Sequence, residues 1–320
     1  MKETGIAPNE FYTENEILQL HDCTLCPREC NVNRFSDTQG YCNTGAGFQV
    51  ASVTIHRGEE PAISGQNGIC NIFFTGCNLR CVYCQNHDIS QSVANKKCRN
   101  IDLEDLLDSV EGILQSGIRI VGFVSPSHVV PQVKAIIRGL NQRGLHPVTV
   151  YNTNGYDKAS IIRSLEGLID VYLPDFKYIS PSLSAKYSDA QDYPEIVIKA
   201  IKEMYYQMGS SLLTDNNGEV ERGLIIRHLV LPGHAEESIK VLRCIAEEIS
   251  TGVSISLMSQ YHPVNVAGLV SPLNRSLFKE EYQLVVEEMN RLGLRNGWIQ
   301  GMDSHSTYLP DFKKNDPFNC

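Results

Sequence analysis

The chain reads Gly76-Cys77-Asn78-Leu79-Arg80-Cys81-Val82-Tyr83-Cys84-Gln85-Asn86 directly after the apolar run Ile69-Cys70-Asn71-Ile72-Phe73-Phe74. This stretch places three thiols in one short loop behind a predicted strand. Thiols this close together suit a shared metal better than disulfides. A closed structural site needs four protein ligands, so three thiolates with no obvious fourth favour an iron-sulfur cluster that keeps one iron open.

The spacing Cys77-x3-Cys81-x2-Cys84, with the aromatic Tyr83 before the last cysteine, resembles the signature of radical S-adenosylmethionine enzymes. The resemblance implies a [4Fe-4S] cluster held by the three cysteines, with Tyr83 beside the cofactor. It also implies that the open iron binds S-adenosylmethionine, which one electron cleaves to methionine and a 5'-deoxyadenosyl radical. A zinc loop without this chemistry is the alternative interpretation of the motif.

Size and charge limit the class of protein. With 320 residues and 42% hydrophobic content, the chain can form one large α/β barrel or two ordinary domains. A formal net charge of -9 argues against a nucleic-acid partner. No apolar run has the length of a membrane span and the start lacks an apolar signal core, so we expect a cytoplasmic protein with no membrane partner. Cytoplasmic thiols remain reduced, so the eleven cysteines favour metal ligation over disulfide bonds.

A second cysteine set precedes the first predicted strand and comprises Cys23, Cys26, Cys30 and Cys42. Four thiols complete a tetrahedron and leave no open position. The spacing fits either zinc or a second iron-sulfur cluster. We therefore expect either a structural metal that staples a small cap or a cluster that relays electrons.

From Ile69 onward, short β-branched runs alternate with helical patterns, which is typical of parallel βαβ units. One helix is predicted after the N-cap residue Asp102, with Leu106, Leu107 and Val110 on a single face. Predicted strands cover residues 69–74, 118–124, 148–151, 171–173, 224–230 and 253–258. We predict an α/β fold in which a partial (β/α)6 TIM-like barrel covers residues 66–265, between an N-terminal four-cysteine cap (1–65) and a C-terminal helix and tail (266–320).

Polar residues follow almost every predicted strand. They are the Cys77 loop, Ser125-Pro126-Ser127-His128, Asn152-Thr153-Asn154-Gly155, Asp175-Phe176-Lys177, Arg227-His228 and Gln260-Tyr261-His262. In such barrels the active site lies at the carboxyl ends of the strands. Loop composition alone would place polar residues at both ends, so this placement favours catalysis.

Within the superfamily, the chain resembles the pyruvate formate-lyase activating enzymes and their PflX-like branch. The resemblance rests on Cys-Thr-Leu-Cys-Pro-Arg at 23–28, Tyr-Asn-Thr-Asn-Gly-Tyr at 151–156, Leu-Pro-Asp-Phe-Lys-Tyr at 173–178, Arg-His-Leu-Val-Leu-Pro-Gly at 227–233 and Gln-Tyr-His-Pro at 260–263. It implies cofactor binding by Asn152, Thr153, Asp175 and Arg227, and catalytic roles for Lys177 and for His262 near a substrate glycine. A barrel-mouth hydrogen bond is the alternative for each of these side chains.

Two positions depart from the family pattern. Asn152 replaces the first residue of a usual Asp-Thr pair, which removes a charge and a cation ligand. The Gly-Gly-Glu that usually holds the cofactor amine is missing after the second strand, where Ser125 and His128 stand instead. We expect Ser125, His128 or backbone carbonyls to take over that contact.

The family resemblance implies a protein substrate, namely a glycyl radical enzyme from which a glycine hydrogen is abstracted, and a flavodoxin or ferredoxin as electron donor. One alternative is radical modification of a small molecule or peptide. The other is a metal-binding module without catalysis, in which both cysteine sets are structural.

Overall fold

The structure, a computed structural model, describes residues 11–36, 38–91, 99–264, 269–302, 310–312, 314 and 317–318. Within these residues the strands are β1 (Phe48–His56), β2 (Ile69–Phe74), β3 (Arg99–Ile101), β4 (Ile120–Val124), β5 (Val148–Thr153), β6 (Val171–Pro174), β7 (Leu213–Thr214), β8 (Val220–Leu229), β9 (Ser254–Met258) and β10 (Gly297–Ile299). They form one sheet in the order β10-β9-β8-β6-β5-β4-β2-β1-β3, with β7 paired to β8.

The six predicted strands are confirmed as β2, β4, β5, β6, β8 and β9, and they lie side by side in chain order with parallel pairing. The sheet does not close on itself, because β3 and β10 end it on the two sides. The α/β fold with a partial TIM-like barrel is therefore confirmed.

Helices connect the strands. They are α1 (Glu14–His21), α2 (Pro61–Ser64), α3 (His87–Ser90), α4 (Leu103–Leu114), α5 (Val130–Gln142), α6 (Ala159–Arg163), α7 (Pro181–Ser188), α8 (Tyr193–Met208), α9 (Ala235–Cys244) and α10 (Lys279–Arg291). The predicted helix after Asp102 is confirmed as α4, but the capping hydrogen bond expected from the Asp102 side chain is absent. Burial of Leu106, Leu107 and Val110 holds α4 instead. No helix in the described ranges combines the length and apolar character that crossing a membrane requires.

Both flanking segments contribute to the sheet. Strand β1 lies within residues 1–65 and pairs antiparallel with β2, so the loop after β1 returns to the amino-terminal end of the parallel strands. Strand β10 lies within residues 266–320 and pairs parallel with β9. The sheet therefore extends on both sides beyond residues 66–265.

The two faces of the parallel strands have different neighbours. One face packs against the helices through residues such as Ile72, Phe123 and Tyr151, all buried in the main core. The other face begins with a smaller apolar cluster of Ile69, Ile120, Val150, Val171, Leu173 and Ile225. Side chains alternate along a strand, so residues two positions further on share this second face. These include Asn71, Asn152, Asp175 and Arg227, and the sequence thereby directs polar groups inside the barrel.

Two glycines give a matched test of this packing. A Cβ at Gly122 on β4 would lie 2.1 Å from Asn71 Oδ1, whereas a Cβ at Gly112 on the exposed side of α4 would meet no atom within 4 Å. We expect Gly122→Ala to lower the free energy of unfolding by about 1–3 kcal/mol through overpacking. We expect Gly112→Ala to raise it by about 0.5–1 kcal/mol, because alanine stabilises a helix interior relative to glycine. Urea denaturation of both variants measures the two changes, and equal effects would contradict this account of the interior.

Candidate active site

A cavity of about 430 Å³ opens inside the barrel, largely among residues at the carboxyl ends of the strands. Most of the predicted site residues line it. These are Cys77, Cys81, Tyr83, Cys84, Ser125, Asn152, Thr153, Asp175, Lys177 and Arg227. Residues from five separate predicted segments thus meet in one space, as expected for the ends of parallel strands.

The cysteine loop that follows β2 is held by backbone hydrogen bonds. The Arg80 N–H donates to the Ser188 carbonyl at 3.2 Å, and the Val82 N–H donates to the Tyr187 carbonyl at 2.9 Å. Both acceptors lie at the end of α7. The loop is therefore fixed from outside the barrel while its three sulfurs face the cavity.

Polar hydrogens surround the three sulfurs. Asn154 Nδ2 lies 3.4 Å from Cys77 Sγ, Ser188 Oγ lies 3.0 Å from Cys81 Sγ, and Ser90 Oγ lies 3.4 Å from Cys84 Sγ. Such donors stabilise thiolate ligands of a metal centre.

Burial raises the pKa of Cys77 to about 12 and that of Cys84 to about 11, and the neighbouring Cys81 adds to both shifts. A bound cation is needed to keep such thiols deprotonated. Among the described residues, no three His, Cys, Asp or Glu side chains are already arranged around a metal position. Three thiols with polar hydrogens beside them suit an iron-sulfur cluster in their chemistry, and Cys77, Cys81 and Cys84 are the residues that would hold it.

Tyr83 connects the loop to the barrel. Its hydroxyl forms a hydrogen bond with the hydroxyl of Tyr178, which in turn lies 3.0 Å from Ser188 Oγ. Ser188 also contacts Cys81, so a continuous chain of polar contacts runs from Tyr83 back to a cysteine sulfur. Burial raises the pKa of Tyr83 well above its ordinary value, so the phenol remains protonated.

A charge network forms the adjoining wall of the cavity. Arg227 Nε donates to Asp175 Oδ1 at 2.8 Å, and Lys177 Nζ donates to Asp175 Oδ2 at 2.6 Å. Arg227 Nη2 donates to Asn152 Oδ1 at 2.7 Å. Burial raises the pKa of Asp175, but the charges of Arg227 and Lys177 outweigh it and leave that pKa below its ordinary value. Asp175 is therefore ionised and keeps both cations in place.

Sequence reasoning missed two carboxylates, Glu59 and Glu60, which lie in the loop after β1 and line the same cavity. Glu59 accepts from Asn71 Nδ2 at 3.0 Å and pairs with Arg227 at 3.4 Å. Glu60 is buried and its Oε2 has no described hydrogen-bond partner. Burial raises the pKa of Glu60, and Arg227 offsets this in part. The only signal in the sequence was a pair of adjacent acids between a glycine and a proline.

Two predicted histidines do not line the cavity. His128 is buried, and its Nε2 lies 2.9 Å from the Thr75 carbonyl, beside the N-terminal cysteine set. His262 is half-buried, although Gln260 just before it does face the cavity. Ser125 lines the cavity with a left-handed backbone (φ 53°), a strained conformation found at functional positions.

The N-terminal cysteines also come together. Cys23, Cys26, Cys30 and Cys42 line one small cavity of about 10 Å³. Burial raises the pKa of Cys26 to about 12, and the other three thiols raise it further. The two cysteine sets thus line separate cavities.

The sequence of this chain matches a known protein family. The family model of the Radical SAM superfamily matches residues 71–243, more than half of the chain. An "Uncharacterized protein MJ0674" of Methanocaldococcus jannaschii is 28% identical over 295 residues, which cover 90% of this chain and 81% of that protein.

Two solved structures show weaker similarity. Streptococcus suis SuiB bound to S-adenosylmethionine has 14% identity and a TM-score of 0.48, over 71% of this chain and 48% of SuiB, so the chain spans about half of SuiB's length. A domain of pyruvate-formate lyase-activating enzyme from Bacteroides vulgatus has 14% identity and a TM-score of 0.37, over 54% of this chain and 93% of that domain. Likenesses at this level carry no information about a substrate.

The charge network predicts a pH-dependent stability. Asp175→Asn leaves Lys177 and Arg227 without their shared carboxylate, and we expect a loss of about 3 kcal/mol in the free energy of unfolding at pH 7. Because the fold lowers the pKa of Asp175, its contribution is present above the unfolded-state pKa of about 3.9 and is lost as the pH falls through the lower folded value. The difference between wild type and variant should therefore shrink below about pH 4.

A matched control for this measurement is Glu195→Gln, which breaks the exposed pair of Glu195 with Lys199. An exposed pair contributes little to stability, because solvent screens both charges. Denaturant titrations of the three proteins between pH 3 and 7 give the comparison. Equal losses for the two variants would contradict a stabilising role for Asp175.

Proposed function

This chain belongs to the radical SAM superfamily, and we propose that it cleaves S-adenosylmethionine reductively and abstracts a hydrogen atom from a glycine of a partner glycyl radical enzyme. One observation supports the proposal above the others. Cys77, Cys81 and Cys84 line the same cavity as the charge network of Asp175, Lys177 and Arg227. A metal-binding loop and a set of buried polar groups in one cavity are the two parts that such a reaction needs.

The chain's own residues would hold and orient the reacting groups. Cys77, Cys81 and Cys84 would hold the [4Fe-4S] cluster. When bound, the cluster and S-adenosylmethionine supply a one-electron cleavage to methionine and a 5'-deoxyadenosyl radical, which takes the substrate hydrogen. Arg227 and Lys177 present cationic donors that suit a carboxylate, and Asp175 keeps both donors charged and positioned. Tyr83 and Ser125 also line the wall of this cavity.

The glycyl radical half of the proposal rests on the family resemblance of the motifs around Asn152, Asp175 and His262. Under it, His262 acts near the substrate glycine and Lys177 takes part in catalysis. A flavodoxin or ferredoxin supplies the electron, in the cytoplasm. A second metal at Cys23, Cys26, Cys30 and Cys42 completes the proposed cofactor set.

Cysteine substitutions test whether this protein cleaves S-adenosylmethionine through a cluster at the Cys77 loop. We expect Cys77→Ala, Cys81→Ala and Cys84→Ala each to abolish release of 5'-deoxyadenosine from anaerobically reconstituted protein under dithionite, because two thiolates do not retain the cluster. Cys244→Ala is the matched control, since Cys244 is half-buried on α9 and lines neither cysteine cavity. Cleavage at the wild-type rate by any of the three variants would rule out this assignment.

Mixing experiments test whether the substrate is a glycyl radical enzyme. Incubation of the reconstituted protein and S-adenosylmethionine with a purified glycyl radical enzyme should give a glycyl radical signal in electron paramagnetic resonance. Cleavage without that signal would instead support a small molecule or peptide as substrate. Absence of both cleavage and signal would support a metal-binding module without catalysis.

A further inference from the structure

We propose that Cys23, Cys26, Cys30 and Cys42 bind a single Zn²⁺ ion and that the filled site positions the Cys77 loop. The zinc assignment depends on the N-terminal residues alone. The positioning of the Cys77 loop rests on the proposed function, because it concerns how tightly that loop binds its cofactor.

The size of the space favours one ion over a cluster. The cavity that the four cysteines line holds about 10 Å³, which is roughly the room of one water-sized sphere. An eight-atom iron-sulfur cubane would require the four cysteines to move apart. The cavity beside the Cys77 loop, by contrast, has about 430 Å³ available. Zinc matches four thiolates around a single small position.

The charge around this cavity is unbalanced without a metal-thiolate centre. Arg34 is 3% exposed and lines the cavity. Its guanidinium donates only to neutral acceptors, namely the carbonyls of Thr44, Gly45 and His128 and the hydroxyl of Thr44. Within the part of the chain that the structure describes, Arg34 forms no ion pair with a carboxylate. A buried guanidinium needs a nearby negative charge, and Zn²⁺ with four thiolates carries a net charge of -2.

His128 also borders the cavity, outside the proposed ligand set. It is 1% exposed and lines the same cavity. Its Nε2 lies 2.9 Å from the Thr75 carbonyl, which can only accept, so the proton is on Nε2. The unprotonated Nδ1 has no hydrogen-bond partner among the described residues. The neutral imidazole therefore borders the four thiols without adding a fifth ligand to the tetrahedral set.

The cap that carries these cysteines touches the Cys77 loop on both sides of Cys77. Gly76 has φ 75°, and a Cβ at this position would lie 2.2 Å from the Cys42 carbonyl oxygen. Arg28 Nε donates to the Asn78 carbonyl at 2.9 Å. Because Cys42 and Arg28 belong to the segments that would close around zinc, ordering these segments also fixes the residues that flank the first cluster ligand.

Metal analysis of the full chain tests the first half. Anaerobically purified protein, reconstituted with iron and sulfide, should contain one zinc and four irons per chain by inductively coupled plasma mass spectrometry. Cys42→Ser should lose the zinc and retain iron, whereas Cys244→Ser should retain both. Eight irons without zinc, or no metal lost on Cys42→Ser, would overturn the zinc assignment. Zinc content is measured without S-adenosylmethionine, so a protein that binds zinc but fails to cleave that cofactor would refute only the proposed function.

Arg28→Ala tests the second half without removing a metal ligand. We expect this variant to retain zinc and iron but to bind S-adenosylmethionine roughly tenfold more weakly, as the loss of an outer positioning contact does. Binding is read from the change in the reduced cluster's electron paramagnetic resonance signal during titration with the cofactor. An unchanged titration in both Arg28→Ala and zinc-free Cys42→Ser would overturn the positioning role.

Discussion

The ion pair between Arg227 and Asp175 is the contact on which the polar interior of this barrel depends. It joins β8 to the segment just after β6, where Lys177 also lies, and Asn152 and Glu59 extend it to β5 and to the loop after β1. Buried charges are costly unless each has a partner. Removal of one partner leaves the other charge unpaired in the low-dielectric interior. The network therefore permits a cavity with charged walls where most barrels pack aliphatic side chains.

The position of the cavity follows from strand periodicity. Val150, Leu173 and Ile225 belong to an apolar layer, and Asn152, Asp175 and Arg227, two positions later on the same face, form the polar wall. A cavity above a packed layer is rigid at its base and open at the carboxyl ends, where the cysteine loop follows β2. The same alternation places the other face against helices, so each strand serves both the core and the site.

Much of this arrangement could be predicted because parallel strands have strong sequence signals: short β-branched runs, intervening helical periodicity and polar residues at one end. Long-range placement had no such signal. The antiparallel pairing of β1 returns Glu59 and Glu60 to the barrel, although they precede its first parallel strand. His128 follows a parallel strand, β4, just as other site residues follow theirs. However, the short 3-10 helix that contains His128 places it beside the N-terminal cysteines. The roles of Lys177 and His262 in catalysis stay predictions.

Among the residues that the structure describes, the sheet ends in two strands, β3 and β10, of three residues each. An unpaired strand edge is a template on which another chain can add, and natural proteins limit this by keeping the outermost strands short. An open barrel exposes two such edges that a closed barrel would have joined. The brevity of these strands thus guards the molecule against edge-to-edge aggregation while leaving the sheet unclosed.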